Sequence, residues 1–238
     1  MAASQQSALY MANHQSDTLF LHPILHAALP KILAEIKRSL PSNWNTGVDS
    51  QGVHRTPNEQ FEIFKKGRRF NPATGEWVRI PGATTFTPLD GFKRKSRHNF
   101  IGAQSVDIIL FKPDGSILKS GPQEKQIAKG ADRFGLTWGG RFRNSDMPHI
   151  EIPKERLFKQ SFDRDEALQW QKYLFHAGAL SSPDELDGFF GEHSKAALHR
   201  VAGTRDRTPR TWEALFEKFG PIEDLTDFDD FPFIPRVS

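Results

Sequence analysis

The stretch Ser105–Phe111, S-V-D-I-I-L-F, constrains the fold of this 238-residue chain more than any other. It is short, mostly apolar and rich in β-branched residues, which reads as a strand. The turn signal Lys112-Pro113-Asp114-Gly115 then leads to a short partner strand over residues 116–119. Only brief extended segments accompany it, at residues 136–138 and 149–152, the second stopped by Pro153. Helical spacing dominates elsewhere. Leu21, Leu25, Leu29, Ile32, Leu33, Ile36 and Leu40 define one long run, in which Pro30 predicts a kink or a division and Pro41 the end. A second helix starts with Thr56 as cap, Pro57 in its first turn and Glu59 three residues after the cap. A third covers residues 123–134, and residues 67–97 read as a long loop with short strands. Past Pro153 only helices are expected, over 165–178, 194–201 and 209–219.

The expected fold is therefore α+β: a small, mainly antiparallel sheet flanked by helices over residues 18–158, then an independent all-α bundle over 160–225. A flexible N-terminus (1–17) and an acidic, aromatic tail (226–238) complete the chain.

With no cysteine, disulfides, Cys-ligated zinc and thiol nucleophiles are excluded, and any metal site must use His and carboxylate. The net charge of +3 is a mild excess, bunched in Lys65-Lys66-Gly67-Arg68-Arg69 and Lys93-Arg94-Lys95. It favours approach to an anionic polymer, while the lack of a docking motif argues against nucleic acid. Neither a membrane span nor a secretory signal is visible, so membrane insertion is not expected.

The residues that carry chemistry surround the strand. Ser96-Arg97-His98 leads into it, Asp107 lies on it, and Asp146-Met147-Pro148-His149 opens the last extended segment. Two imidazoles and one carboxylate are a normal protein ligand set for catalytic zinc, with the fourth position left for water. A carboxylate three residues before the last ligand is placed to take a proton from that water. Spacing alone does not separate such a set from hydrogen-bonded structural histidines.

Four pieces in order resemble the zinc D,D- and L,D-peptidases of peptidoglycan, the family of D-alanyl-D-alanine carboxypeptidases and phage L-alanyl-D-glutamate endolysins. They are Leu21-His22-Pro23 before an apolar helix, and Gly52-Val53-His54-Arg55-Thr56-Pro57-Asn58-Glu59-Gln60 with Gly67-Arg68 and Pro81-Gly82. Ser96-Arg97-His98-Asn99 through Val106-Asp107 follows, then Leu136-Thr137-Trp138-Gly139-Gly140 to Asp146-Met147-Pro148-His149-Ile150-Glu151. The resemblance implies one zinc per chain on His98, Asp107 and His149, Asp146 as catalytic base, and Arg55 as the cation that orients substrate and stabilises the oxyanion. Gln60 and Ser96 would have positioning roles. The chain departs from the family pattern in two places. Two residues rather than one separate Gly52 from Arg55, and eight rather than six separate His98 from Asp107, with Ser105 where the family has Ala. The two extra residues imply a bulged loop.

Residues 165–198 resemble a three-helix peptidoglycan-binding repeat, through Leu168, Gln169, Asp187, Gly188 and Gly191. Together the resemblances imply a monomeric hydrolase of the peptide stem, most like an L-alanyl-D-glutamate endopeptidase, whose partner is peptidoglycan. It would reach the wall through a lysis pore, a secretion machine or lysis. The alternatives are a D-alanyl-D-alanine carboxypeptidase or dipeptidase, and a non-catalytic zinc-containing wall-binding protein.

Overall fold

Local signals account for most of the elements in the computed structural model, which describes residues 15–118, 120–157 and 164–220. The expected tail and nearly all of the expected N-terminal arm lie outside the described residues. Helix α1 (Pro23–Ser39) starts with Pro23 in its first turn and His22 as cap, the His22 Nδ1 accepting from the Ile24 amide at 3.3 Å. Ile24, Leu25, Ala28, Leu29, Ile32 and Ile36 form its buried stripe. Pro30 does not divide the helix. It sits on the exposed side, where solvent replaces the hydrogen bond its ring removes. Helix α2 (Pro57–Lys65) carries the expected capping box: Thr56 Oγ1 accepts from the Glu59 amide, and the Glu59 carboxylate accepts from the Thr56 amide.

The main sheet is antiparallel with strand order β1-β4-β6-β5, formed by β1 (Asn45–Val48), β4 (Ser105–Phe111), β6 (His149–Glu151) and β5 (Thr137–Trp138). β2 (Arg68–Asn71) and β3 (Glu76–Arg79) form a separate hairpin within the stretch read as a long loop with short strands. The partner expected at residues 116–119 shrinks to a single bridge between Phe111 and Ile117. Alternation along β4 buries Val106, Ile108 and Leu110 in the core and turns Asp107 to the opposite face. Helix α3 (Lys125–Arg133) packs against α1, and its Ile127, Ala128 and Ala131 are buried.

A short helix, α4 (Lys154–Leu157), follows the sheet, and then come α5 (Arg164–His176), α6 (Glu192–Ala202) and α7 (Pro209–Phe219). These last three were expected to stand apart, yet their buried side chains join those of residues 20–157 in one continuous cluster. Trp212 is the join. Its ring lies 4.9 Å from that of Trp170 and 4.6 Å from that of Tyr173, on the C-terminal side. On the other side it covers Gly102, where a Cβ would come within 2.4 Å of Trp212 Cδ1 and where φ is +77°. Only glycine meets both conditions. Nearby, the rings of Phe216 and Phe20 are 5.0 Å apart.

A shared core makes unfolding cooperative across the chain. Trp212→Ala is expected to cost about 3–5 kcal/mol, and urea unfolding is expected to follow one transition whether read in the C-terminal helices or around the sheet. Two separated transitions would show that the halves fold independently.

Candidate metal centre

Three backbone segments bring His98, Asp107 and His149 together. Asp107 and His149 are direct partners across β4 and β6, so their side chains leave the sheet on the same face. His98 arrives on a 3-10 turn, Arg97–Asn99, capped at Ser96: the Ser96 Oγ accepts from the His98 amide at 3.4 Å, and the Ser96 amide donates to Asn99 Oδ1 at 2.7 Å. Asn99 Nδ2 also donates to the Arg55 carbonyl at 2.8 Å, and the Arg55 amide donates to the His98 carbonyl at 2.9 Å. The longer His98–Asp107 connection is taken up by this turn and by a loop in which the Ala103 amide donates to the Phe20 carbonyl at 2.7 Å.

His98 Nε2 lies 3.3 Å from His149 Nδ1 and 3.3 Å from Asp107 Oδ1, and the last two atoms are 3.1 Å apart. A tetrahedral ion with ligand bonds of about 2.0–2.1 Å separates its ligand atoms by about 3.3 Å. The outer nitrogens fix which inner nitrogens carry lone pairs. His98 Nδ1 stands 2.7 Å from the Val53 carbonyl, which only accepts, so Nδ1 holds the proton and Nε2 is bare in the neutral ring. His149 Nε2 faces Glu151 Oε2 at 3.3 Å, which leaves Nδ1 bare in the same way. Two lone pairs and a carboxylate oxygen then converge on one point, an arrangement that suits a cation. The residues fit a divalent metal of the zinc type; the metal's identity is not fixed by the geometry.

Without a metal a proton on His149 fills this role. Burial opposes a charge on His149, but the hydrogen bonds to Asp107 and Glu151 and the charges of Asp107 and Asp146 outweigh it and raise its pKa to about 9. Burial would raise the pKa of Asp107, but the charge of His98 and the hydrogen bonds from both imidazoles hold it well below the usual carboxylate range. Arg55 Nη2 donates to Asp107 Oδ2 at 2.7 Å, the oxygen turned away from the imidazoles, while Arg55 Nε donates to the Gln51 carbonyl at 3.1 Å. Arg55 thus clamps a ligand.

Asp146 is an exposed residue whose carboxyl is partly withdrawn from water, and that desolvation and the charge of Asp107 raise its pKa, against the pull of His149, His98 and Arg55. Gly139 sets this approach. A Cβ there would meet the Asp146 carbonyl at 2.5 Å and His149 Cβ at 2.8 Å, so the Trp-Gly-Gly segment can lie against the Asp146–His149 turn only without a side chain.

The remaining candidates fall elsewhere. Ser96 acts on His98 through the backbone, as above. Gln60 is buried and donates through Nε2 to the Leu89 carbonyl at 3.1 Å, tying α2 to the loop beyond the hairpin. In the C-terminal helices, Leu168 and Gln169 are half-buried. The glutamine that holds the Asp187-Gly188 loop is Gln171, which sequence reasoning passed over. It donates to Asp187 Oδ1 at 2.8 Å and Ser194 Oγ at 3.1 Å, and accepts from the Gly188 amide at 2.7 Å. Gln171 shares the helical face of Ala167 and Leu174, which Gln169 does not, and this was the available signal. Gly191 is the N-cap residue of α6. Glu151 was also passed over as a partner of His149.

The chain matches no protein-family model and no curated protein sequence.

Two outcomes follow for metal binding. A metal must displace the His149 proton, so apparent zinc affinity is expected to weaken about tenfold per unit as pH falls below about 9. Titration calorimetry in buffers of different ionisation enthalpy should register about one proton released per metal at pH 7–8. Glu151→Ala is expected to weaken zinc binding by about 10–100-fold, read by competition with a chromogenic chelator. Unchanged affinity would show that Glu151 does not orient His149. Without metal the linkage has a definite sign: the raised His149 pKa adds stability that is fully present below pH 6.5 and is lost as pH rises through about 9.

Proposed function

We propose that this chain is a zinc-dependent peptidase of peptidoglycan stems, most like the L-alanyl-D-glutamate endopeptidases. One observation carries the reading: two imidazole nitrogens and a carboxylate oxygen converge at 3.1–3.3 Å, with the charge of a second carboxylate, Asp146, felt by all three. Three of the four ordered pieces that resemble the family contribute residues to this arrangement, Arg55 from the second, His98 and Asp107 from the third, and Asp146 and His149 from the fourth, which supports the family proposal where overall sequence comparison is silent.

Zinc held by His98, Asp107 and His149 would supply Lewis acidity to a scissile carbonyl and lower the pKa of a water. Asp146 is the proton carrier. Its raised pKa brings its carboxylate nearer to neutrality, where it can accept a proton from the attacking water and return it to the leaving amine. Arg55 spends two donors on Asp107 and the Gln51 carbonyl, and the rest of its guanidinium is proposed to face the developing oxyanion. In the neutral ring Glu151 holds the His149 proton on Nε2, which turns the Nδ1 lone pair to the site, and Phe142, its ring 5.8 Å from that of His149, forms one apolar wall.

The C-terminal helices are proposed to bind wall through the loop that Gln171 holds, where Phe189 is exposed. Such a contact would raise the effective concentration of the site at the polymer. No helix among the described residues is long and apolar enough to cross a membrane.

Purified wall incubated with the zinc-loaded protein should release stem peptides, identified by mass spectrometry, and a chelator should abolish release. Asp146→Ala should keep its zinc and lose roughly 10²–10⁴-fold in turnover. Free D-alanine as the product would reassign the chain to the carboxypeptidases. Stems left intact by a zinc-loaded, wall-bound protein would make it a binding protein.

A further inference from the structure

A second aromatic cluster lies outside the main core, on α2 and the β2–β3 hairpin. Phe61 is its centre: the rings of Phe64, Trp77 and Phe92 lie 5.9, 5.9 and 5.8 Å away, and Phe70 lies 5.8 Å beyond Trp77. None of these rings belongs to the buried core. Phe70 and Phe92 are 50% and 56% exposed, and Ile80 and Phe86, just after the hairpin, 41% and 67%. Among the described residues, four of the seven exposed large hydrophobic side chains thus fall in this one unit.

Cations accompany the rings. Lys65 Nζ stands 5.6 Å from the centre of Phe61 and 5.8 Å from that of Trp77, Lys66 Nζ 5.6 Å from Phe86, and the Arg68 guanidinium 4.1 Å from Phe64. Residues 61–95 hold eight Lys and Arg against three Asp and Glu. Their net +5 exceeds the +3 of the whole chain, so the rest is slightly acidic. The first basic bunch of the sequence is, once folded, the fringe of an exposed apolar patch.

The chemistry narrows the partner. The cations call for an anionic one, and the projecting Phe and Ile side chains call for one that accepts hydrocarbon. A nucleic acid meets the first demand and offers bases to stack on rings, but gives Ile80 nothing to enter. An anionic polysaccharide likewise offers little hydrocarbon. A bilayer surface with anionic headgroups meets both demands: apolar side chains enter the boundary between headgroup and acyl chain while Lys and Arg meet phosphates. We infer that α2 and the β2–β3 hairpin form an adsorption surface for anionic phospholipid membranes. Phe70, Ile80, Phe86 and Phe92 enter the interface, and Lys65 and Lys66 bind the headgroups. This is adsorption, not spanning, and it uses none of the residues of the metal centre.

Flotation of the full chain with vesicles tests it. Binding is expected to vesicles of mixed phosphatidylcholine and phosphatidylglycerol, and not to pure phosphatidylcholine. Phe86→Ser with Phe92→Ser, and separately Lys65→Glu with Lys66→Glu, should each lower the partition coefficient at least about tenfold. Circular dichroism and zinc affinity should stay unchanged, because the substituted Phe side chains are exposed and lie apart from the metal ligands. The assignment is overturned by failure to bind the anionic vesicles, by equal binding to both vesicle types, or by variants that partition like the parent. It is also overturned if a single-stranded oligonucleotide binds with the same dependence on these residues while vesicles do not.

Discussion

Asp107 is a carboxylate held between two imidazoles and a guanidinium on the face of a four-stranded sheet, and much of the surrounding structure serves to keep it there. An ionised carboxylate taken out of water is strongly destabilising unless it is paired and hydrogen-bonded. Here one oxygen faces His98 and His149 and the other accepts from Arg55. Each partner is held in turn by something rigid: His149 by the β4–β6 register, His98 by a capped 3-10 turn, Arg55 by backbone bonds to that same turn. The site is built on short elements tied to one another, so its geometry does not depend on any single loop.

The same economy appears outside the site. Gln171 satisfies the Asp187 carboxylate, the Gly188 amide and the Ser194 hydroxyl from one amide group, which orders the turn between α5 and α6. Trp212 joins those helices to the loop that carries the chain from His98 to Asp107. The C-terminal helices therefore brace the loop that leads into the candidate metal centre, and Phe189 projects to solvent from the loop whose backbone Gln171 holds.

Charge is distributed unevenly across the fold. The hairpin and its flanks gather an excess of cations around exposed rings, while the candidate metal centre concentrates three carboxylates, Asp107, Asp146 and Glu151, around two histidines.

The sequence by itself determined the elements whose signals are local. β4 is legible as an apolar run, α2 as a capping box, α7 as a cap followed by proline, because these signals act over three or four residues. The candidate ligands were legible as residue types, since a chain without cysteine has few ways to hold a metal. Tertiary structure alone decided the rest. β1, N-T-G-V, carries no strand signal of its own and is extended because Ile108–Phe111 offers it a hydrogen-bonding edge. Two glutamines on one helix look alike until packing turns Gln171, and not Gln169, toward the Asp187 loop. An amphipathic face states that it must be buried and not against what, so a core shared between the two halves could not be read in advance. Nor could the meeting of ligand atoms from residues 42 and 51 positions apart in sequence. Spacing along a chain fixes no distance across a fold; strand register and a capped turn do.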